Sequence, residues 1–250
     1  MSKVLCLNAD LGELPGEEGR AIDAAMLDVV SRCNIACGGH AGDAATIRIT
    51  MRRAQERDVQ IGVHPSYPDR ENFGRRSMQL SPGELRRTLE AQIHLFDKVA
   101  HTESLRIEHL KPHGALYNDA AKDLNIARVI ASVAADWAIP EIIGPPNSAL
   151  ETATARAGLV FIPEGFADRS YEPDGSLTPR QFEGAVLEDT RSVLAQAVQF
   201  AARGVVNVRG GGAIALPIRT LCLHSDTPGA VEHARAIRAG LLEAGVTILA

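Results

Sequence analysis

The stretch VLCLNADLGELPGEEGRAIDAAMLDVVSRCNIAC, residues 4–37, decides the fold. It opens on an apolar run, VLCLN (4–8), passes through a polar loop holding Asp10 and Glu13, and continues with helical spacing over 17–30 before a second apolar run, NIAC (34–37). Strand, loop, helix and strand in about 30 residues make a βα unit. The pattern recurs outward from there. Further strands are predicted at 59–63, 107–111, 141–144, 159–163, 205–208 and 220–224, and VTIL (246–249) adds an edge or closing strand.

Helices fill the gaps at 44–57, 120–135, 147–157 and 187–203. Ser81, Pro82 and Glu84 form a helix start, because serine can cap, proline suits the first helical position and glutamate can reach back to the cap amide. That helix runs to residue 99 with Leu85, Leu89, Phe96 and Val99 on one face. Thr227 and Pro228 start another, which ends near Gly245. Alternating strands and helices with short connections predict a parallel α/β sheet, closed into a barrel or open and doubly wound. A single domain over residues 1–250 is the expectation for this length.

Composition narrows the function. With 45% apolar residues and a net charge of −5, the chain can bury a large core, and no segment has the character of a disordered tract. Without a long Lys/Arg block it carries no electrostatic footprint for nucleic acid or an anionic membrane. The apolar run near the start stops at Asn8 and Asp10, too soon for a signal peptide, and no uncharged stretch approaches the roughly 18 residues of a membrane span. A cytoplasmic protein is expected. The four cysteines, Cys6, Cys33, Cys37 and Cys222, read as reduced, buried residues.

Residues able to do chemistry follow the predicted strands again and again. Asn8, Asp10 and Glu13 come first, then His40 and Asp43, then His64; Lys111 and His113 follow, then Glu164, Asp168 and Arg169, and finally His224 and Asp226. In parallel α/β folds the carboxyl ends of the strands converge, so these groups are expected to meet in one site. A strand-end histidine taken alone can equally cap a helix or fill a cavity. His94, His101 and His233 fall in helices and His109 lies mid-strand, so those four read as structural or surface residues. Asp43, before a clear helix, reads first as an N-cap. Lys111 is one of only four lysines, and at a strand end it is expected to lose its proton easily or to clamp an oxyanion. Arg75, Arg76, Arg169 and Arg180 lie in loops where guanidinium groups can hold a carboxylate or phosphate. None of the lysines follows a glycine, which excludes a P-loop, and Arg209-Gly210-Gly211-Gly212 is only a weak candidate for anion binding.

Taken together, LNADLGE (7–13), NIACGGHAGD (34–43), GVHPSYPDRENFGRR (62–76), KPHGALYN (111–118), EGFADRSYEPDGSLTPR (164–180) and CLHSD (222–226) resemble the LamB/YcsF family. The resemblance runs the length of the chain. It differs at Cys6, where an acidic residue is frequent, at Gly39, where Phe is frequent, and at Ser225, where Gly is common; Gly39 is expected to leave space beside His40.

The resemblance implies an irregular seven-stranded β/α barrel of the glycoside hydrolase/deacetylase type. It also implies ATP-dependent opening of 5-oxo-L-proline to L-glutamate, with ATP as co-substrate and two partner 5-oxoprolinase subunits, B and C. On that view Asp10 or Glu13 activates water, His64 and His113 move protons, Lys111 stabilises an oxyanion, and Arg75, Arg169 or Arg180 grips the substrate carboxylate. Asn8, His40, Glu164, His224 and Asp226 complete the substrate wall. Two other readings fit the same residues. One is a metal-dependent amidohydrolase or deacetylase acting alone, with Asp10, His40, His64 or His224 on a divalent ion. The other is a lactam-binding subunit without chemistry of its own.

Overall fold

Residues 3–225 and 229–249 are described by the computed structural model. Seven parallel strands close into a barrel: β1 (Lys3–Leu11), β2 (Arg32–Ala36), β3 (Gln60–His64), β4 (His109–Leu110), β5 (Glu141–Gly144), β6 (Val160–Phe166) and β9 (Thr220–Leu223), the last pairing with both β6 and β1. Closure uses the long first strand twice. Its inner half pairs with β2 and β9, and its outer half takes β10 (Val246–Ile248) through Lys3↔Val246. The seven-stranded barrel is therefore the closed alternative of the two that the sequence pattern permits.

Alternation along the strands separates two environments. Leu5, Leu7, Ala9 and Leu11 of β1, Ile35 of β2, Val63 of β3 and Leu221 of β9 join the hydrophobic core under the helices. The opposite face points into the barrel and is polar. There Asn8 Nδ2 donates to Glu164 Oε1 (2.9 Å) and to Thr220 Oγ1 (2.8 Å), Asn34 Nδ2 donates to Asn8 Oδ1 (2.7 Å), and His109 Nε2 lies 2.9 Å from Asn34 Oδ1. Buried amides satisfied this way cost little, whereas unpaired ones would be expensive.

The helices are α1 (Gly16–Leu27), α2 (Ala44–Gln55), α3 (Pro82–Thr102), α4 (Gly114–Lys122), α5 (Leu124–Asp136), α6 (Ala149–Arg156), α7 (Thr190–Arg203) and α8 (Ala230–Glu243). The expected capping box of α3 forms: Ser81 Oγ accepts from Glu84 N while Glu84 reaches back to Ser81 N. Asp43 caps α2 through Thr46 N at 2.8 Å.

Two expectations are corrected. The helix expected over 120–135 is two helices, because Asp123 accepts from Asn125 N and caps a fresh start, and α4 begins earlier, at Gly114. The strand expected over 205–208 is β7 (Val205–Asn207), which stays outside the barrel and forms a hairpin with β8 (Ala213–Ala215). The glycines of 209–212 turn that hairpin: Gly211 N donates to Val208 O and Val208 N to Gly212 O, so the segment is a solvent-exposed turn. The start assigned to Thr227 and Pro228 lies outside the described residues. No helix among the described residues is long and apolar enough to cross a membrane.

Candidate functional site

The carboxyl ends of the strands open on a cavity of about 390 Å³, lined by Asp10, Glu13, His64, Arg75, Lys111, His113, Glu164, Arg169, Arg180 and His224 among others. Its size is typical of a small-molecule site. The residues come from β1, β3, β6, their loops and the segments after β4 and β9, so distant stretches do meet at one rim. The loop between β6 and α7, residues 167–189, folds over that rim. Tyr171 anchors it by accepting from Phe166 N at 2.8 Å.

Asp10 and Glu13 owe their positions to the turn after β1. Gly12 takes φ +73°, a conformation easy only for glycine, and its N–H donates to Asp23 Oδ2 of α1 at 3.0 Å. Burial lifts the Asp23 carboxyl to about 6. Asp10 Oδ1 accepts from Asn34 Nδ2 (2.8 Å) and from Lys111 Nζ (2.9 Å), and its Oδ2 lies 3.3 Å from His64 Nε2. Burial alone would raise this carboxyl, but His64 and Lys111 outweigh it and hold it well below the usual carboxylate range. Glu13 Oε1 meets three imidazoles, His40 Nε2 at 2.9 Å, His113 Nδ1 at 3.2 Å and His64 Nε2 at 3.7 Å. Against the effect of burial, His113 and His40 keep it acidic.

Lys111 is 1% exposed and bridges Asp10 and Glu164 Oε1, each at 2.9 Å. Its Nζ also lies 3.1 Å from Cys222 Sγ and 5.3 Å from the centre of the Phe166 ring. Burial would lower its proton affinity, yet Asp10, Cys222 and Glu164 raise it well above the lysine norm. The expectation of an easily lost proton is thereby corrected: Lys111 is a held ammonium. His64 rises for a similar reason, Asp10 and Glu13 outweighing burial, whereas burial takes His40 down to about 4.

On the far wall His224 Nδ1 lies 2.9 and 2.7 Å from the two oxygens of buried Asp168. Burial would raise that carboxyl, but His224 and Arg169 pull it below its ordinary value. The His224 ring stacks on Phe166, whose edge meets Tyr117. Arg169 lines the cavity, yet its Nε donates to Ala185 O (3.1 Å) and its Nη2 to Thr178 O (2.6 Å), so it also ties down the loop over the rim. Arg75 sits over Phe73 at 4.8 Å.

The remaining sequence candidates fall as follows. Glu164 lines the cavity and Asn8 is fully buried inside the barrel, and both hold Lys111. His40 stands behind the floor, stacked on His113 with ring centres 3.6 Å apart. Asp226 lies outside the described residues. No room opens beside His40 at Gly39: a Cβ there would meet Gln92 Oε1 at 2.3 Å and Ser66 Oγ at 2.4 Å, so the expected space is filled by α3. The metal set suggested by the sequence divides in two: His40 and His64 gather with Glu13 and His113, whereas Asp10 and His224 gather with Cys222. All four cysteines are free and buried.

Several participants escape a reading of the sequence. Asn34 and Asp23 look like ordinary strand and helix residues, and only the polar barrel interior reveals them. Tyr117 and Phe166 lie in apolar runs. Ser225 donates to Asp10 O at 2.8 Å, a contact glycine could not make. The HSD spacing after β9 is the one available signal for it.

Comparison with known proteins agrees with this architecture. The LamB/YcsF family profile matches residues 5–250. The chain is 45% identical, over 100% of its own length and 96% of the relative's, to a protein of Methylococcus capsulatus named as the A subunit of 5-oxoprolinase. A protein of the same name from Chloroflexus aggregans is 42% identical over 97% of this chain and 96% of its own. Among solved structures, the lactam utilization protein of Thermus thermophilus superposes with a TM-score of 0.88 at 35% identity, covering 98% of each chain.

Proposed function

This chain belongs to the LamB/YcsF family, and from that premise we propose that it is the lactam-opening subunit of an ATP-dependent 5-oxoprolinase, working with partner subunits B and C. The observation that carries the reading is a single rim pocket that joins an oriented imidazole to arginines, in a chain 45% identical over its whole length to a protein named as the A subunit of that enzyme.

The chemistry explains why ATP is needed. A five-membered lactam is resonance-stabilised and recloses readily, so water alone has little driving force. Transfer of the γ-phosphoryl group to the lactam oxygen releases ADP and leaves an electrophilic carbon. Water adds to that carbon, the ring C–N bond breaks as nitrogen takes a proton, and hydrolysis of the acyl phosphate left behind yields L-glutamate and phosphate. The nucleotide step belongs to the partner subunits, in keeping with the lack of a P-loop lysine here.

Within the pocket, Asp10 and Glu13 are too acidic to be good bases, which moves water activation to His224. Ionised Asp168 only accepts, so His224 Nδ1 carries the hydrogen between them and Nε2 is the basic nitrogen. The proton taken from water can then pass to the departing ring nitrogen. His64 and His113 are unsuited to proton transport, because their outer nitrogens are tied to Lys111 O and Phe73 O. Arg75 and Arg180 bind the substrate carboxylate, and Lys111 keeps Asp10 and Glu164 paired in the dry floor.

The test is an assay with ATP and 5-oxoproline, with and without subunits B and C, following ADP and glutamate together. Glutamate is expected only when all three subunits and ATP are present, and His224→Gln is expected to lower kcat by about 10²-fold or more, on the order of a lost general base. Glutamate formation by this chain alone without ATP would overturn the reading in favour of a hydrolase acting by itself. Unchanged turnover in His224→Gln would remove the base assignment.

A further inference from the structure

The side chains of the pocket floor gather a set of ligand-type atoms around one point. His64 Nδ1 is 2.7 Å from Lys111 O, and His113 Nε2 is 3.0 Å from Phe73 O. Carbonyl oxygens only accept, so those two nitrogens carry the hydrogens, and His64 Nε2 and His113 Nδ1 are the ring nitrogens turned toward the pocket floor. These face each other at 3.1 Å. Around them lie Glu13 Oε1, 3.2 Å from His113 and 3.7 Å from His64, and Asp10 Oδ2, 3.3 Å from His64. Two ring nitrogens and two carboxylate oxygens thus converge on one point. His40 adds a third imidazole, Nε2 at 2.9 Å from Glu13, while its Nδ1 is buried with no hydrogen-bond partner among the described residues.

We propose that Glu13, His64 and His113, with His40 as a fourth donor, bind one divalent transition-metal ion of the zinc class at the floor of the pocket. A tetrahedral zinc site with bonds near 2.05 Å has donor-to-donor edges of about 3.3 Å. Glu13 Oε1 lies 2.9, 3.2 and 3.7 Å from the nitrogens of His40, His113 and His64, and His64 Nε2 lies 3.1 Å from His113 Nδ1, which bracket that value, and all four donor atoms lie within 4.8 Å of one another. Metal-bound histidines commonly donate their second N–H to a carbonyl, which fixes the ring, and the Lys111 and Phe73 carbonyls do this here. Three imidazoles and one carboxylate suit zinc, cobalt, nickel or iron better than magnesium or calcium, which prefer oxygen.

The alternative cluster of Asp10, Cys222 and His224 is a poor cation site. Lys111 Nζ, itself positive, lies 2.9 Å from Asp10 and 3.1 Å from Cys222, and burial pushes the Cys222 thiol well up. Glu13, His64 and His113 line the cavity, so a bound ion is reachable from it and would supply Lewis acidity there. The inference concerns binding alone and stands whether or not the lactam reaction is the right one.

The test uses the full chain, stripped with a chelator and titrated with Zn²⁺ or Co²⁺, following metal content by mass spectrometry, thermal midpoint, and the visible bands of tetrahedral cobalt. One equivalent should bind wild type and raise the midpoint. Glu13→Gln and His113→Gln should each weaken binding at least tenfold, while His224→Gln should bind as wild type does. Absence of stoichiometric binding to stripped wild-type protein by any of Zn²⁺, Co²⁺, Ni²⁺ or Fe²⁺ would overturn the proposal without recourse to any variant. Loss of binding in His224→Gln alone would overturn it equally, by placing the ion in the other cluster.

Discussion

Lys111→Met tests the electrostatics of the floor directly. Methionine has a similar length and no charge, so the substitution chiefly removes the ammonium. Lys111 is 1% exposed and sits 2.9 Å from both Asp10 Oδ1 and Glu164 Oε1, so its removal leaves buried Glu164 without a counter-charge and Asp10 with His64 alone. Breaking a buried pair by deleting one partner costs about 3–5 kcal/mol, mostly from the orphaned charge. Urea denaturation followed by the fluorescence of the single tryptophan, Trp137, reads the loss. The companion variant is Lys111→Met with Glu164→Gln. Neutralising one orphan should recover part of the loss, although Glu164→Gln in the wild-type background removes a partner from Lys111 and should destabilise. That opposite sign of one substitution in two backgrounds is the signature of coupling. Additive effects, or a Lys111→Met variant within about 0.5 kcal/mol of wild type, would refute the view of Lys111 as the ion that holds these carboxylates.

Two further outcomes concern the frame of the site. Burial lifts the Asp23 carboxyl from 3.8 to about 6, so between those values the folded chain holds a proton that the unfolded chain releases, and stability falls as pH rises through that window. The total is about 3 kcal/mol by linkage; the stability difference between Asp23→Asn and wild type should therefore grow in favour of the variant from about pH 4 to 6, and a flat difference would contradict it. At Gly39, an alanine Cβ would meet Gln92 Oε1 at 2.3 Å, and Gln92 is tied to Ser66 N and O. Gly39→Ala should cost roughly 1–3 kcal/mol in chemical denaturation, whereas a neutral substitution would mean the α3 side chain gives way.

The barrel is legible because its strands combine short apolar runs with polar strand ends, and the positions of Asp10, His64, Lys111 and His113 at one rim follow from parallel topology alone. What the pattern hides is the inside of the barrel. Asn34 and His109 point into it, yet each lies in a run that reads as an ordinary hydrophobic strand, since polar groups that satisfy one another across a barrel leave no local trace. Charge state is hidden for the same reason. Lys111 looks labile because burial disfavours an ammonium, and only the distances to Asp10 and Glu164 reveal that pairing wins. Asp123 hides the break between α4 and α5, because an aspartate inside an amphipathic run carries no sign of whether it caps or continues.

The interior network also explains why the reactive rim can be so crowded with charge. Asp10 and Glu164 are held by buried amides and one buried lysine. Asn8 donates to Glu164, Asn34 donates to Asp10, and Asn8 Oδ1 accepts from Asn34 and from Lys111, so two neutral amides lock an ammonium and two carboxylates into one rigid unit. Those amides hang from β1 and β2, whose register is fixed at Asn8↔Arg32 and Asp10↔Asn34. A slip of either strand by one residue would turn its amide into the helix-facing core and break the amide link between the charges. The pairing that closes the barrel and the geometry that arms the pocket are thus one constraint, and substitutions of Asn8 or Asn34 act on stability and chemistry together.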